Sequence, residues 1–526
     1  MGFYDYLTNT TTLILGGICL TLYFIYDFWK NLYFWRNGIP GPFPFPIIGT
    51  LYAFTKGFTS DFLTKKNKYG KVYGFTFMGN RCFAIHDLDM IQEVMISRFS
   101  SFPNHGKPAF EDKPFNESVS IQRDGHWKAM RNTLTPAFTG SKLKKMTPLI
   151  NECCDQLVQH FDEHRKSDTA IQCKNLYGAY SMDVAATSFF GMKLDSQKDP
   201  SNLFVKYAKE SFEMGIFNFK ILVGLLVPGM ATLYNMLGIS ITKSHITRFF
   251  TDVITQAMEK RKKERSERTD ILQLMIDAHK LDSRVENEDD ELVKGGLGEL
   301  GNASSHPSSK PALSSDEIMA NAVVFLLAGY DTTSTALCMT SYLLATNKEE
   351  QEKLIQEVDE FAPRTEDVTY ETLSKMEYLD CVVRESLRLY PSAAATDRVN
   401  DKGDLVIKGL QIPDGFSVVI PIYAIHHDPE IWDKPEEFRP ERFCKENRPN
   451  IRPVSWLPFG DGPRSCIGMR LALMAIKFAL VRMLQEFKFE TCPETEQIPP
   501  VLNTKSGFLS PPNGVKLQVV PRKKMD

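Results

Sequence analysis

The hydrophobic and polar positions of this 526-residue chain open on an apolar run. From Thr11 to Trp29 only Asp27 is charged, and roughly twenty apolar residues is the length that crosses a hydrocarbon core. Ile39–Gly49 follows, with Pro40, Pro42, Pro44 and Pro46 at alternate positions. That spacing forbids helix and stiffens the chain toward an extended form. Val72–Phe77 and Arg81–His86 alternate like two short strands about Met78-Gly79-Asn80, and Asp87–Phe99 is predicted helical. Ser101–Ser120, rich in Pro, Phe and Asn and without a period, predicts a long surface loop. A helix is predicted to open at Gly125-His126-Trp127-Lys128-Ala129-Met130-Arg131, with Trp127 and Arg131 four apart on one face. Ile221–Leu233 is almost wholly apolar but broken by Pro228-Gly229. It is too short to span a bilayer and reads either as a core hairpin or as a loop dipping into a membrane surface. Arg261–Arg268 predicts an exposed helix end, and the acidic, Gly/Ser-rich Leu281–Ser314 a mobile loop.

The longest periodic segment begins at a cap, Ser315, with Asp316 and Glu317 in its first turn. It runs through Ala320, Val323, Val324, Leu327, Ala328, Thr332, Ala336 and Leu337 to about Thr346, on the order of 45–50 Å at the helical rise. In its middle, Ala328-Gly329-Tyr330-Asp331-Thr332-Thr333 is poor helix material; the glycine alone costs about 1 kcal/mol. A local conflict inside a strong helix marks a site, although in isolation the stretch also reads as a packed kink. Gly329 is expected to open a groove, Thr332 to hold a hydroxyl near a ligand, and Asp331 to relay protons. A further helix, Tyr378–Leu389, carries Glu385 and Arg388 at i, i+3, and Leu405–Ile412 and Val418–Ile420 predict a small β region.

The last periodic segment runs to about Phe487, with Leu471, Ala472, Met474, Ala475, Ala479, Leu480, Met483 and Leu484 on one broad face. Directly before it stands Phe459-Gly460-Asp461-Gly462-Pro463-Arg464-Ser465-Cys466-Ile467-Gly468. Cys466 is thus placed at or just before a helix N-terminus, where free N–H groups and the helix dipole favour a thiolate. Gly460 and Gly462 permit backbone conformations closed to other residues, and Gly468 removes a side chain where a flat ligand can approach. Arg464 offers a positive charge to an anionic group. A lone cysteine is commonly a small buried hydrophobe, yet a cysteinate in a tight loop beside an anion-binding arginine is what an axial haem ligand needs.

Composition narrows the classes. A formal charge of -3 gives no reason to expect nucleic acid binding, and the length favours two domains on size alone. The ten cysteines show no C-x-x-C pair; the adjacent Cys153 and Cys154 suit neither zinc nor an ordinary disulfide, so reduced thiols on a cytosol-facing domain are expected. The first ten residues hold no Lys or Arg, and no small-x-small cleavage site follows the apolar run, which favours an uncleaved anchor over a signal peptide. Asp5 precedes the run and Lys30 and Arg36 follow it, so the bulk of the chain is expected in the cytosol. Tyr23, Phe24, Tyr26, Phe28, Trp29, Tyr33, Phe34 and Trp35 suit an interfacial belt. Lys142, Lys144 and Lys145 are either a solvated face or a docking patch for an acidic redox partner. His426 and His427 have no acidic or His partner at a helical spacing and are expected to be a satisfied structural pair.

The pattern F-G-x-G-x-R-x-C-x-G, matched without a gap by Phe459–Gly468, resembles the haem-binding signature of the cytochrome P-450 superfamily, the haem-thiolate monooxygenases. Ala328–Thr333 is similar to that family's oxygen-activating A-G-x-[DE]-T-[TS], Trp127 and Arg131 to its W-x-x-x-R, and Glu385 and Arg388 to its E-x-x-R. The resemblance covers about residues 39–520, and Tyr180–Phe190 and Asp270–Asp277 resemble the branch of broad-specificity drug- and steroid-oxidising enzymes. It implies a mainly α fold with minor β, one large haem domain over 50–526 that overrides the two-domain expectation. Before that domain stand a membrane anchor, 1–29, and a linker with proline-rich hinge, 30–49. Haem b is the implied cofactor, with Cys466 as axial ligand of its iron and Arg464, Trp127, Arg131, Arg398, Phe459 and Gly329 around it. Thr332 and Asp331 are the implied catalytic pair, and Glu385, Arg388 and Arg442 a structural group behind the haem loop. The resemblance makes Ser101–Ser120 and Ser392–Ala395 walls of the substrate chamber and brings the turn around Gly507–Ser510 back into it. His105 departs from the pattern, standing where many members have a propionate-binding arginine. The implied reaction inserts one atom of dioxygen into a lipophilic small molecule (steroid, fatty acid or xenobiotic). Electrons are expected from NADPH-cytochrome P-450 reductase, with cytochrome b5 a further candidate donor, at the endoplasmic reticulum membrane. A haem-thiolate isomerase or dehydratase acting on peroxides is the alternative, against which the intact Asp331-Thr332 pair speaks; a non-enzymatic haem sensor is a third class.

Overall fold

The computed structural model describes residues 10–54, 57–77, 79–108, 112–167, 170–199, 201–212, 219–227, 229–264, 270–278, 313–364, 367–496, 502, 508–511 and 514–522. The helices that position the site are α1 (Thr10–Asn31), α2 (Asp124–Leu134), α3 (Gly140–Ser167), α4 (Cys173–Phe190), α5 (Ser315–Thr346), α6 (Glu377–Leu389) and α7 (Met469–Glu486). Helix α5 is the axis. It packs along α4 and also meets α6 and α7, so residues on nearly every side of it are buried, as in α4. A helix apolar all round belongs in a core. Among the described residues two helices are long and apolar enough to cross a membrane, α1 and α5; the span in α5 is 72% buried and that in α1 is 0% buried.

The cap of α5 is Ser314, one residue before the expected Ser315. Ser314 Oγ accepts the Glu317 N–H at 3.1 Å while the Glu317 carboxylate accepts the Ser314 N–H at 2.8 Å. Glu317 at the third helical position closes this reciprocal box and so selects the earlier serine. Gly329 stands where α5 and α4 meet at a cavity. A Cβ there would lie 3.1 Å from Ala185 Cβ on α4. Its role is to let two helices approach.

Strands β1 (Val72–Phe77), β2 (Asn80–Ile85), β3 (Ile171–Gln172), β4 (Thr396–Val399), β5 (Leu405–Ile407), β6 (Leu410–Ile412), β7 (Ser417–Ile420), β8 (Phe487–Glu490) and β9 (Lys516–Pro521) form three small sheets. The largest has the order β1-β2-β7-β4, with β2 and β7 parallel and the other pairs antiparallel. Its register sets Arg398 opposite Val418. The second has the order β3-β9-β8, and β5 pairs with β6 as a hairpin.

Several expectations change. The stretch 30–49, read as a stiff linker, is also packed onto the body. Phe34, on the short helix Tyr33–Arg36, is 5% exposed and meets the rings of Phe83 and Phe416. Gly74 leaves room for it, since a Cβ there would stand 2.1 Å from the Phe34 ring. Asp27, the one charge of the apolar run, accepts the Ile47 N–H at 2.6 Å and ties α1 to the proline-rich stretch. Ser101–Ser120 is not a surface loop: Phe102, Asn104 and Ser118 are fully buried. Arg261 is buried too, because its guanidinium is held by Asp270 and the Phe190 carbonyl. Ile221–Leu233 falls largely in two short helices, Phe219–Leu226 and Met230–Met236, and leaves Val227 and Leu233 exposed, so its described part is no core hairpin. The expected mobile loop falls almost wholly on 279–312, outside the described residues, as do 265–268 and Gly507.

Candidate active site

The loop before α7 is shaped by two glycines in the left-handed region, Gly460 at φ 66° and Gly462 at φ 71°. At Gly462 a side chain is also sterically impossible, for a Cβ would sit 2.1 Å from the Met95 carbonyl oxygen. The turn closes with Cys466 N–H donating to Phe459 O at 2.8 Å and Ser465 N–H to Gly462 O at 3.0 Å. Cys466 precedes α7 by three residues, as expected. It retains open surface although protein surrounds it, because it faces a cavity of about 470 Å³. Burial pushes its thiol up, while the Gly468 N–H, the Arg131 charge and the Met469 N–H pull it down. The helix-terminus effect expected from the sequence is present, but burial outweighs it.

Most of the sequence-predicted residues meet at this cavity. Trp127, Arg131, Gly329, Thr332, Arg398, Phe459, Arg464 and Cys466 line it. The walls are largely apolar, from Val119, Phe138, Phe189, Phe325, Ile422 and Phe508. Ser392, Ala393 and Ala395 also border it, and Leu509 N–H bonds Ser392 O at 2.9 Å, which brings the tail to the chamber.

The rim is crowded with guanidinium groups. Arg464 lies 3.9 Å over the Trp127 ring and donates to Pro103 O, Gln122 O and Asn104 Oδ1 at 2.8, 2.9 and 3.1 Å. All these acceptors are neutral. Burial, followed by the charges of Arg398, Arg123 and Arg131, pulls Arg464 down to about 9. Burial likewise brings Arg398 down to about 10, and its buried Nε has no hydrogen-bond partner. Arg131 donates to Ser465 O at 2.8 Å and so braces the cysteine loop. His105 Nδ1 stands 3.2 Å from Asp397 and 3.4 Å from Arg398 Nη1, joining the cluster at the position where the sequence departs from the pattern.

Asp331 is absent from the cavity wall. Its carboxylate and its carbonyl both accept from Lys174 on α4, at 2.9 and 3.0 Å, and the same ammonium reaches Ser334 Oγ and Thr335 Oγ1. Thr332 does border the cavity and donates to Ala328 O at 2.8 Å, leaving its oxygen lone pairs free toward the chamber. Lys174 lies 157 residues away in sequence, and no spacing rule points to it.

Behind the loop, Glu385 and Arg388 pair through Arg388 Nε and Nη2 at 2.8 and 2.9 Å with neither side chain exposed. Arg442 Nε joins Glu385 at 3.2 Å. This trio is as expected, but the tie to the loop comes through His426. Arg388 Nη1 donates to His426 O at 2.7 Å, and His426 Nδ1 faces Arg388 O at 3.0 Å. Since a carbonyl only accepts, Nδ1 carries the proton, and Nε2 accepts the Leu457 N–H at 2.8 Å. Burial and the Arg388 charge hold His426 neutral. His427 stacks on Tyr423, bonds Tyr423 O, and takes no part in the cavity.

A thiol in the cavity, a rim of mutually repelling guanidiniums with an unpartnered Nε, and apolar walls fit a flat metal macrocycle bearing carboxylates. Among the described residues no group of three or more His, Cys, Asp and Glu offers an alternative metal site. A family description, "Cytochrome P450", matches residues 39–519. The chain is 40% identical to rat "Cytochrome P450 3A9" over 516 residues, 97% of each chain. It is 39% identical to mouse "Cytochrome P450 3A13" over 515 residues, again 97% of each. Golden hamster "Lithocholate 6-beta-hydroxylase" is 38% identical over 519 residues, 98% of this chain and 97% of that one.

Proposed function

This chain belongs to the cytochrome P450 family and is a haem b-dependent monooxygenase, and we propose that it hydroxylates steroids and lipophilic xenobiotics at the membrane of the endoplasmic reticulum. The observation that carries this reading is Cys466 and Thr332 on one apolar cavity rimmed by Arg131, Arg398 and Arg464. Haem bound there supplies dioxygen activation once a reductase delivers electrons. The Cys466 sulfur would hold the iron, and the arginine rim with Trp127 and His105 would hold the carboxylates. Thr332 holds a proton or water at its hydroxyl beside the chamber, and Asp331, fixed by Lys174, passes protons inward from the other side of α5. Phe138, Phe189, Phe325 and Phe508 exclude bulk water and pack an apolar substrate. The hamster relative's name is that of a bile-acid hydroxylase, which fits a chamber of this character. The exposed apolar α1 anchors the chain, and the positive charges after it keep the catalytic body on the cytosolic face. NADPH-cytochrome P-450 reductase is the electron donor, with cytochrome b5 a second one.

The test is reconstitution of the full chain in vesicles with the reductase, NADPH and a steroid such as lithocholate or testosterone. Hydroxylated product that needs both NADPH and dioxygen, and that is lost in Cys466→Ala, is the expected outcome. Rearrangement of a lipid peroxide without reductase, and no steroid product, would replace this reading with that of an isomerase.

A further inference from the structure

We propose that Cys381 and Cys444 form an oxidation site, a dithiol apart from the cavity that closes to a disulfide and locks α6 to the Pro440–Phe443 turn. Their sulfurs stand 3.1 Å apart, against about 2.05 Å in a disulfide, so closure asks each to move roughly half an ångström. Cys381 on α6 is fully buried and Cys444, which follows the turn, is partly exposed. An attacking reagent therefore meets Cys444 first. The backbone beside the pair is held independently of sulfur, because Lys445 N–H donates to Glu377 Oε1 in the first turn of α6 at 2.9 Å. Cys381, Trp432 and Phe443 form a cluster of their own, with Trp456 packed against it. That cage restrains the two side chains near their contact.

The placement gives the bond a consequence. Cys381, Glu385 and Arg388 recur at four- and three-residue intervals on one face of α6, and Cys444 lies two residues after Arg442. A disulfide would cross-link covalently the two segments that Glu385 and Arg442 already join by charge. It closes a loop between positions 63 apart, long enough to restrict the unfolded chain strongly.

The chemistry balances with a small-molecule disulfide as oxidant. The Cys444 thiolate attacks one sulfur of the reagent and expels the first thiol. Cys381 then attacks the Cys444 sulfur and expels the second, so that two protein thiols lose two electrons and two protons to the reagent's S–S bond. Burial pushes both thiols up, and nearby carboxylates (Asp380 and Glu377 at Cys381; Glu377, Glu441 and Glu446 at Cys444) push the same way. Those carboxylates are themselves paired, Asp380 with Arg384, Arg448 and Lys477, Glu377 with Lys445 and Glu441 with Lys353, so burial is the main cause, and exchange is slow at neutral pH and quickens above it.

Cystamine, a small disulfide, is the probe. The full-length, haem-loaded protein is treated with it at pH 8, alkylated, digested and mapped by mass spectrometry. The expected product joins the Cys381 and Cys444 peptides, two hydrogens lighter than the reduced pair and reversed by dithiothreitol. The midpoint for thermal loss of the haem absorbance should rise by about 5 °C on oxidation. Neither Cys381→Ala nor Cys444→Ser should show that rise; the second, at a partly exposed position, serves if the buried replacement fails to fold. Recovery of Cys381 and Cys444 as alkylated thiols, after Cys19 and Cys492 have taken up the reagent, would overturn the proposal. So would a cross-link that leaves the midpoint unmoved.

Discussion

Arg388 has no exposed surface and spends its guanidinium on Glu385, the His426 carbonyl and the Glu437 carbonyl. Replacing it by Leu leaves a buried carboxylate with Arg442 and the Arg439 N–H as its remaining partners. Breaking such a pair costs about 3–5 kcal/mol, and the His426 link to Leu457 loses its anchor as well. Arg388→Leu should therefore yield protein that does not retain haem, seen as loss of the carbonyl-adduct absorbance in expressed material. Normal haem content with merely slowed turnover would contradict the structural role. At this scale the sequence was readable where a motif is contiguous, as in Phe459–Gly468. It was silent on His426, which looked like half of an inert pair, and on Lys174. By sequence Arg464 is a charge offered to an anion, yet most of its donors reach Pro103, Asn104 and Gln122. Those oxygens come from a segment more than three hundred residues upstream, and no local pattern encodes such a meeting.

Among the elements, α4 and α5 show how a local rule and its physical cause can part. Gly329 was legible as a break in helix propensity, but the break exists to admit Ala185 at close range. Gly178 on α4 does the same for the Tyr330 ring, to which a Cβ would come within 3.2 Å. Gly329→Val should force the helices apart and destabilise by about 1–3 kcal/mol. A lowered unfolding midpoint together with a blue-shifted haem absorbance, reporting a disturbed cavity wall, is the expected result. An unchanged midpoint would mean that the crossing has slack. The Ser101–Ser120 stretch illustrates the opposite case. It has no period, yet aperiodic chain need not be surface: Asn104 is fully buried, and its side-chain amide is satisfied by donating to Asp124 and Asp401.

For the molecule as a whole, three buried histidines govern acid stability. Burial holds His86 at about 3 and His427 at about 4, and His426 well below its ordinary value. Below the ordinary histidine value of about 6.5 the unfolded chain takes up protons that the folded chain refuses, so stability is lost as pH falls toward the folded values. At pH 5 this amounts to roughly 2 kcal/mol for each of His86 and His427. Asp183 and Glu357, raised by burial, act in the opposite sense, but only as pH nears the carboxylate range. The unfolding midpoint should fall steadily between pH 7 and pH 5; a flat profile would show that these imidazoles are protonated or open in the native state.

The long helix α5, the helix after the cysteine loop, that loop, the apolar run of α1 and the family were legible in the chain's order of residues, because backbone preference and periodicity act over a few neighbouring positions. Only the tertiary structure decided which partner each polar side chain meets. It put Lys174 on Asp331, carried His426 to Leu457, set Cys381 against Cys444, and let burial override the helix terminus at the Cys466 thiol. Those outcomes depend on packing between segments 31 to 157 residues apart, and desolvation, which fixes their energies, does not exist until the chain has closed around them.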